Sequence, residues 1–241
     1  MSRLTQLLAT HGSILVLDAA SQRVQVGLLQ AAKAAIWQTT SDEAGRGVFA
    51  GTETVLRQAK LGIEQIGSFL FCAGPGSMLG TRTVAMTLRT WQTLKPRPVY
   101  SYQSLALAAR FAWSRHDGRD LTVIADARRE TWHCQPIRTD GSMPPLQRLP
   151  AADLPAGELL TPEYFRAWAV APRPAATCSY DLATILPAVM DCDYFTATDA
   201  PDAFQHEAPE YKKWSAQAHS AATTRNDRNG PGILKTENRE I

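Results

Sequence analysis

The sequence predicts a two-lobed α/β protein in which a mixed sheet flanked by helices is duplicated. Three observations lead there. The stretch "SILVLDAASQRVQVGLLQAAKAAIWQTT" reads as an antiparallel meander and is followed by alternating helix and strand patterns, the order of a parallel crossover. A strand–Asp–turn–strand device occurs twice, in "ILVLDAASQRVQV" and in "VIADARRETWHC", which suggests an internal repeat. Between the two lies "AGPGSMLGTR", a glycine-rich turn that joins an apolar strand to a helix.

Taken in order, "ILVL" is a continuous apolar run, "RVQVGLL" alternates with period two, and "AAIWQTT" supplies the third strand. Helical spacing of Val48, Val55, Leu56 and Ala59 predicts a helix over 48–60, with Gly62 placed to stop it. "IEQIGSFLFCA" is a buried strand. A second helix, over 81–94, carries Val84, Leu88 and Trp91 on one face and ends before Pro96. "PVYSY" is a short strand, "SLALAARFAW" a helix, and "DLTVIADARRETWHCQPI" two strands joined at "DARRE". From 141 to 174 the chain is rich in proline, with strands too short to place. The expected division is a first lobe over 1–103, a smaller second lobe over 104–214, and a polar, aperiodic tail over 215–241 expected to be disordered.

Composition narrows the function. The 241 residues, 44% hydrophobic and 20% charged, are ordinary for a globular protein. The 25 basic and 23 acidic side chains are spread without a basic stripe, so direct nucleic-acid binding is not announced. Cys72, Cys134, Cys178 and Cys192 form no C-x-x-C pair and read as reduced thiols. "MSRLTQLLATHG" is too short and too polar for a signal peptide, and no run is long and apolar enough to span a membrane, so a cytoplasmic protein is expected.

Two sites invite chemistry. A strand, a glycine turn and a helix start put free N–H groups where a phosphate can sit. The loop has no G-K-[ST], however, and its nearest cation is Arg82, so a tight turn is the preferred reading. In that turn Gly74 and Gly76 supply unusual backbone angles and Ser77 caps the helix. Asp18 and Asp126, each at a strand end, could face a shared cleft and hold a magnesium-bound nucleotide, but their neighbours lack the usual hydroxyls and glycines. Capping of each turn is the preferred role. No histidine pair has zinc spacing and no G-x-S-x-G elbow is present, so no metal site and no catalytic residue is assigned.

Several segments in order resemble the TsaB (YeaZ) family. "ILVLDAASQRVQVGLL" is similar to that family's opening strand pair, "AGPGSMLGTR" to its "GPGSFTGVR" loop, "PVYSYQSLALAA" to its "PVIGVSSLEALA", "VIADARRETWHC" to its "DAR…EVY" strand, and "APEYKKW" to its "P-x-Y-L-R" element. "DAAS" stands for the family's "DTST", and Met78 and Leu79 replace a phenylalanine and a threonine, which marks a divergent member. The resemblance implies an actin-like ATPase (ribonuclease-H-like) fold. It also implies a subunit, without catalytic activity alone, that a TsaD-like transferase requires to make N6-threonylcarbamoyladenosine on transfer RNA.

Further implications are a TsaE-like ATPase on the assembly, tRNA contact only through the partner, and self-association in the partner's absence. No cofactor is expected to bind tightly to the lone chain; ATP or ADP would sit at the complex interface, with Gly74, Gly76, Ser77, Arg82 and Asp18 near it. Apolar residues on more than one face of the two first-lobe helices point to Phe49, Val55, Leu56, Val84, Met86 and Leu88 as partner contacts. The alternative is an ATP-dependent small-molecule kinase of the same superfamily, working through Asp18 and Asp126.

Overall fold

The computed structural model describes residues 2–205. "APEYKKW", the tail over 215–241 and the expected end of the second lobe lie outside the described residues. Helix α1 (Leu4–His11) precedes the meander β1 (Ser13–Asp18), β2 (Val24–Gln30) and β3 (Ile36–Thr40). There follow α2 (Ala44–Ala59), β4 (Ser68–Gly74), α3 (Met78–Leu94), β5 (Val99–Gln103) and α4 (Ser104–Trp113). The second half holds β6 (Leu121–Asp126), β7 (Thr131–Ile137), β8 (Gln147–Pro150), β9 (Glu158–Pro162), β10 (Ala176–Cys178), α5 (Leu182–Val189) and β11 (Thr196–Ala197).

The duplication is plain in the pairing. One sheet runs β11-β5-β4-β1-β2-β3 and the other β10-β9-β6-β7-β8. In each, the first three strands form an antiparallel meander and the next two add in parallel beside the first strand. The copies differ in what connects them: α3 links β4 to β5, whereas a proline-rich strap, residues 163–175, links β9 to β10. Late in the chain, β11 returns to pair with β5 of the first sheet.

Strand alternation sorts the core into layers. Leu15, Leu17, Val26, Phe69 and Phe71 face α2 and α3 on the outer side of the first sheet. Ile14, Val16, Leu70 and Cys72 face the other way, where they meet α4, α5 and the inward side chains Leu121, Val123 and Leu160 of the second sheet. The far side of the second sheet, Ile124, Trp132 and Leu159, is covered among the described residues by Ala151, Leu154, Ala171 and Ala175 rather than by α-helices.

Several expected boundaries move. Helix α2 begins four residues before the expected start at 48, and α3 three residues before 81. Glycine is a poor helix former, yet Gly47 and Gly51 lie one turn apart against the sheet: a Cβ would come within 2.9 Å of Val24 at Gly47 and 2.8 Å of Val26 at Gly51. Close approach of helix to strand decides these positions, not propensity. The stop is Lys60, not Gly62: Lys60 is left-handed (φ 56, ψ 43), and its N–H closes the last turn on Leu56 and Arg57 carbonyls. Helices α1 and α5, absent from the sequence reading, contribute Leu4, Leu7, Leu186 and Val189 to the inner core. Pro187 lies inside α5, where periodicity reads as interrupted.

A left-handed lysine at a helix C-terminus carries a Cβ strain that glycine does not. Lys60→Gly should therefore raise stability by about 0.5–1 kcal/mol. The check is a urea midpoint that rises with unchanged slope; a lower midpoint would show that the lysine side chain matters more than its backbone.

Candidate functional site

The site forms where β1 ends. Asp18 Oδ1 accepts the Ala20 N–H at 2.8 Å, the turn-closing contact expected of an aspartate two residues upstream. Its Oδ2 accepts two phenols, Tyr102 at 2.6 Å and Tyr180 at 2.7 Å. Tyr102 comes from β5, and Tyr180 from the chain just past β10. Cys72 on β4 places its sulfur 3.8 Å from the Tyr180 hydroxyl. Asp18 is 0% exposed.

The strand register adds a second grip on Tyr180. Gln25 lies directly opposite Asp18 across the β1–β2 ladder. Its Nε2 donates to the Tyr180 carbonyl at 3.1 Å, and its Oε1 accepts the Leu182 N–H at 2.8 Å. Two adjacent side chains of the first sheet thus hold the segment leaving the second sheet, one by its hydroxyl and one by its backbone.

Burial pushes the Asp18 carboxyl above its ordinary range, and the hydrogen bonds from Tyr102, Tyr180 and the Ala20 N–H only partly oppose it. Burial, followed by the nearby Asp18 charge, drives Tyr102, Tyr180 and the Cys72 thiol well above their usual values. These three groups therefore remain neutral donors. A carboxylate whose oxygens are both occupied and which sees no water has no open position for a metal or a phosphate-bound cation.

The "AGPGSMLGTR" loop closes the same place from the other side. Gly74 (φ 118) and Gly76 (φ 153) take backbone angles that favour glycine. Ser77 donates its N–H to the Ala20 carbonyl at 2.6 Å, and its Oγ accepts the Gly80 N–H at 3.2 Å as the α3 cap. A Cβ on Gly80 would stand 1.9 Å from the Ala19 carbonyl oxygen, and one on Gly76 2.3 Å from that of Ala20. Loop and β1 turn are thus in backbone contact at Gly76, Ser77 and Gly80. Arg82 is exposed and makes no ion pair among the described residues.

Asp126, at the matching point of the second sheet, repeats the turn contact but little else. Its Oδ1 accepts the Arg128 N–H at 2.6 Å, while Oδ2 accepts the Trp168 and Ala169 N–H groups at 2.6 and 2.8 Å. It ties the strap to the hairpin. The three residues that follow Ala127 in this hairpin, Arg128, Arg129 and Glu130, are all left-handed (φ 64, 52 and 57).

The six expected partner contacts separate into two groups. Val55, Val84 and Leu88 are fully buried and Leu56 nearly so, all four packed against the first sheet, where they cannot reach another molecule. Phe49 (55%) and Met86 (56%) are exposed. Leu79 joins them at 71%, one heptad before Met86 and off the Val84, Leu88 and Trp91 stripe, a spacing that was available in the sequence. Gln25, Tyr102 and Tyr180 were not foreseeable from sequence, since 84 and 162 residues separate Asp18 from its two tyrosines.

This fold is shared with YeaZ. The structure of YeaZ from Pseudomonas aeruginosa superposes with a TM-score of 0.57 over 73% of this chain and 88% of that one, at 18% identity. A structure described as an uncharacterized protein with similarity to peptidase YEAZ, also from Pseudomonas aeruginosa, matches with the same TM-score over 73% of this chain and 90% of its own, at 19% identity. No family model and no curated protein matches the sequence. The YeaZ-like architecture, with two mixed sheets and helices packed on them, is the duplicated α/β fold expected from the sequence.

Two outcomes test the site. Gly80→Ala gains helix propensity but drives a methyl into the Ala19 carbonyl, so it should cost about 1–3 kcal/mol in urea unfolding. A neutral result would show that the two loops separate freely. For Asp18, the folded carboxyl holds its proton more tightly than the unfolded one. Its contribution is therefore full below the unfolded value of 3.8 and is lost as pH rises from there through the raised folded value. Asp18→Asn, whose amide can donate to both phenols, should remove that decline. Parallel stability-versus-pH curves for the two proteins would show that the buried carboxyl does not titrate there.

Proposed function

We propose that this chain is a non-catalytic accessory subunit for N6-threonylcarbamoyladenosine synthesis on tRNA, supporting a TsaD-like transferase that performs the chemistry. The observation that carries the reading is a YeaZ-like fold whose strand-end aspartate is sealed at 0% exposure by Tyr102 and Tyr180. A lobe pair closed at this point serves as a scaffold rather than as a nucleotide-hydrolysing centre. The kinase alternative gains nothing: Asp18 is sealed, and the Asp126 carboxylate already accepts three backbone N–H groups.

Phe49, Leu79 and Met86 are the surface on which the transferase docks. Large apolar side chains left in water on neighbouring helices are favourable only when covered, and well-buried apolar anchors dominate binding energy. A TsaE-like ATPase then joins the assembled pair, with ATP or ADP held at the shared interface.

Co-purification with a TsaD-like protein tests this. Phe49→Glu and Met86→Glu should each weaken the complex at least about 10-fold, or about 1.4 kcal/mol, while melting temperature stays unchanged for Met86→Glu and falls only slightly for Phe49→Glu, which loses an edge contact with Trp91. Intact complexes would remove this interface, and failure to complement a TsaB-depleted strain would remove the function.

A further inference from the structure

The second sheet carries a surface that this role does not use. Its outer face is crossed by the strap, and the strap's "YFRAW" places Tyr164 and Trp168 in water at 46% and 62% exposure. Arginines converge on the same stretch from four separate parts of the chain. Arg23 lies over the Tyr164 ring, 3.9 Å from its centroid, and the strap is pinned there by the Gln22 N–H on the Tyr164 carbonyl. Arg128 and Arg166 lie 5.0 and 5.4 Å from the Trp168 centroid. Arg129 sits exposed in the hairpin that Asp126 ties to the strap, and Arg148 is bonded to the same hairpin through Thr131 and Ala127. Arg173 and Arg166 line a cavity of ≈ 670 Å³ beside them, together with Asp126 and Tyr164.

None of these six guanidiniums is in an ion pair among the described residues. The carboxylates nearby are Asp126, Asp153, Glu130 and Glu163, fewer than the arginines, and Asp126 is already occupied by backbone N–H groups. The surface therefore combines an excess of arginine over carboxylate with two exposed aromatic side chains, each carrying a guanidinium over its ring. A purely anionic partner would use the charge and leave the rings idle; an apolar partner would do the reverse. Unpaired bases on a phosphodiester backbone use both, because every base has a face to stack and every phosphate a charge to neutralise.

We propose that the Tyr164–Trp168 strap, with Arg23, Arg128, Arg129 and Arg166, is a binding face for single-stranded RNA. The choice of RNA rests on the tRNA-modifying role inferred above, and it adds a direct contact to a partnership in which the transferase alone was expected to touch tRNA. Arg129 and Arg166 meet phosphates, and successive bases stack on Tyr164 and Trp168 and on the guanidinium planes that lie over those rings. Asp126 holds the strap's backbone in position and does not touch the ligand.

The experiment is fluorescence anisotropy of the full chain with a labelled, unstructured oligouridine. Binding should weaken steeply with salt. Trp168→Ala and Tyr164→Ala should each reduce affinity by about 5–100-fold, Trp168→Phe should recover most of the loss, and Arg129→Ala should lower the salt slope by about one. All three substituted side chains lie on the surface, and an unchanged circular dichroism melt confirms that each variant is folded. No binding at low salt, wild-type affinity in Trp168→Ala, or equal competition by polyglutamate each overturns the proposal. Loss of the transferase complex with RNA binding intact would remove the accessory-subunit reading and leave this surface standing; the opposite result would remove the surface alone.

Discussion

Asp18 sits at the end of the first strand with both carboxylate oxygens occupied, and the donors come from its own turn, from β5 and from the chain beyond β10. Removing a carboxylate from water is costly unless donors replace the lost hydration. The structure supplies three, and in doing so it draws the two sheets together at one point. Gln25 shares the load from the neighbouring strand, taking the backbone on either side of Asp181. The inner core of α4, α5 and both sheets is assembled around this clasp.

The same closure explains the small residues nearby. With Gly80 pressed on the Ala19 carbonyl and Gly76 on that of Ala20, the β1 turn and the glycine loop are in backbone contact. Side chains larger than alanine at these turn positions would face the loop across that gap. The "DAAS" sequence, which looks like erosion of a polar motif, is thus also what close packing of the two loops accommodates. The two loops form a structural joint.

Around the joint, the two copies of the fold have diverged in what covers their outer faces. In the first, α2 and α3 bury Val55, Val84 and Leu88 and leave Phe49, Leu79 and Met86 outside. In the second, no α-helix among the described residues occupies that side, and a proline-rich strap held by Asp126 lies across it instead. One copy presents an apolar surface and the other a basic, aromatic one. A single duplicated framework therefore offers two chemically distinct faces.

Local physics made much of this legible in advance. The β1–β2–β3 meander, the strand–loop–helix of "AGPGSMLGTR", the Ser77 cap and the repeated strand–Asp–turn device depend on alternation, glycine angles and i+2 hydrogen bonds, all of which are written in neighbouring residues. What tertiary structure alone decided depends on distance along the chain. Tyr102 and Tyr180 bear no sequence mark as partners of Asp18, and Gly47 and Gly51 favour a helix only because β2 lies against them. The charge reading shows the limit most clearly. Arginines at 23, 128, 129, 148, 166 and 173 form no stripe in the sequence, and they become one surface only when the strap crosses the second sheet. Sequence proximity sets turns and strands; long-range packing sets which charges share a field.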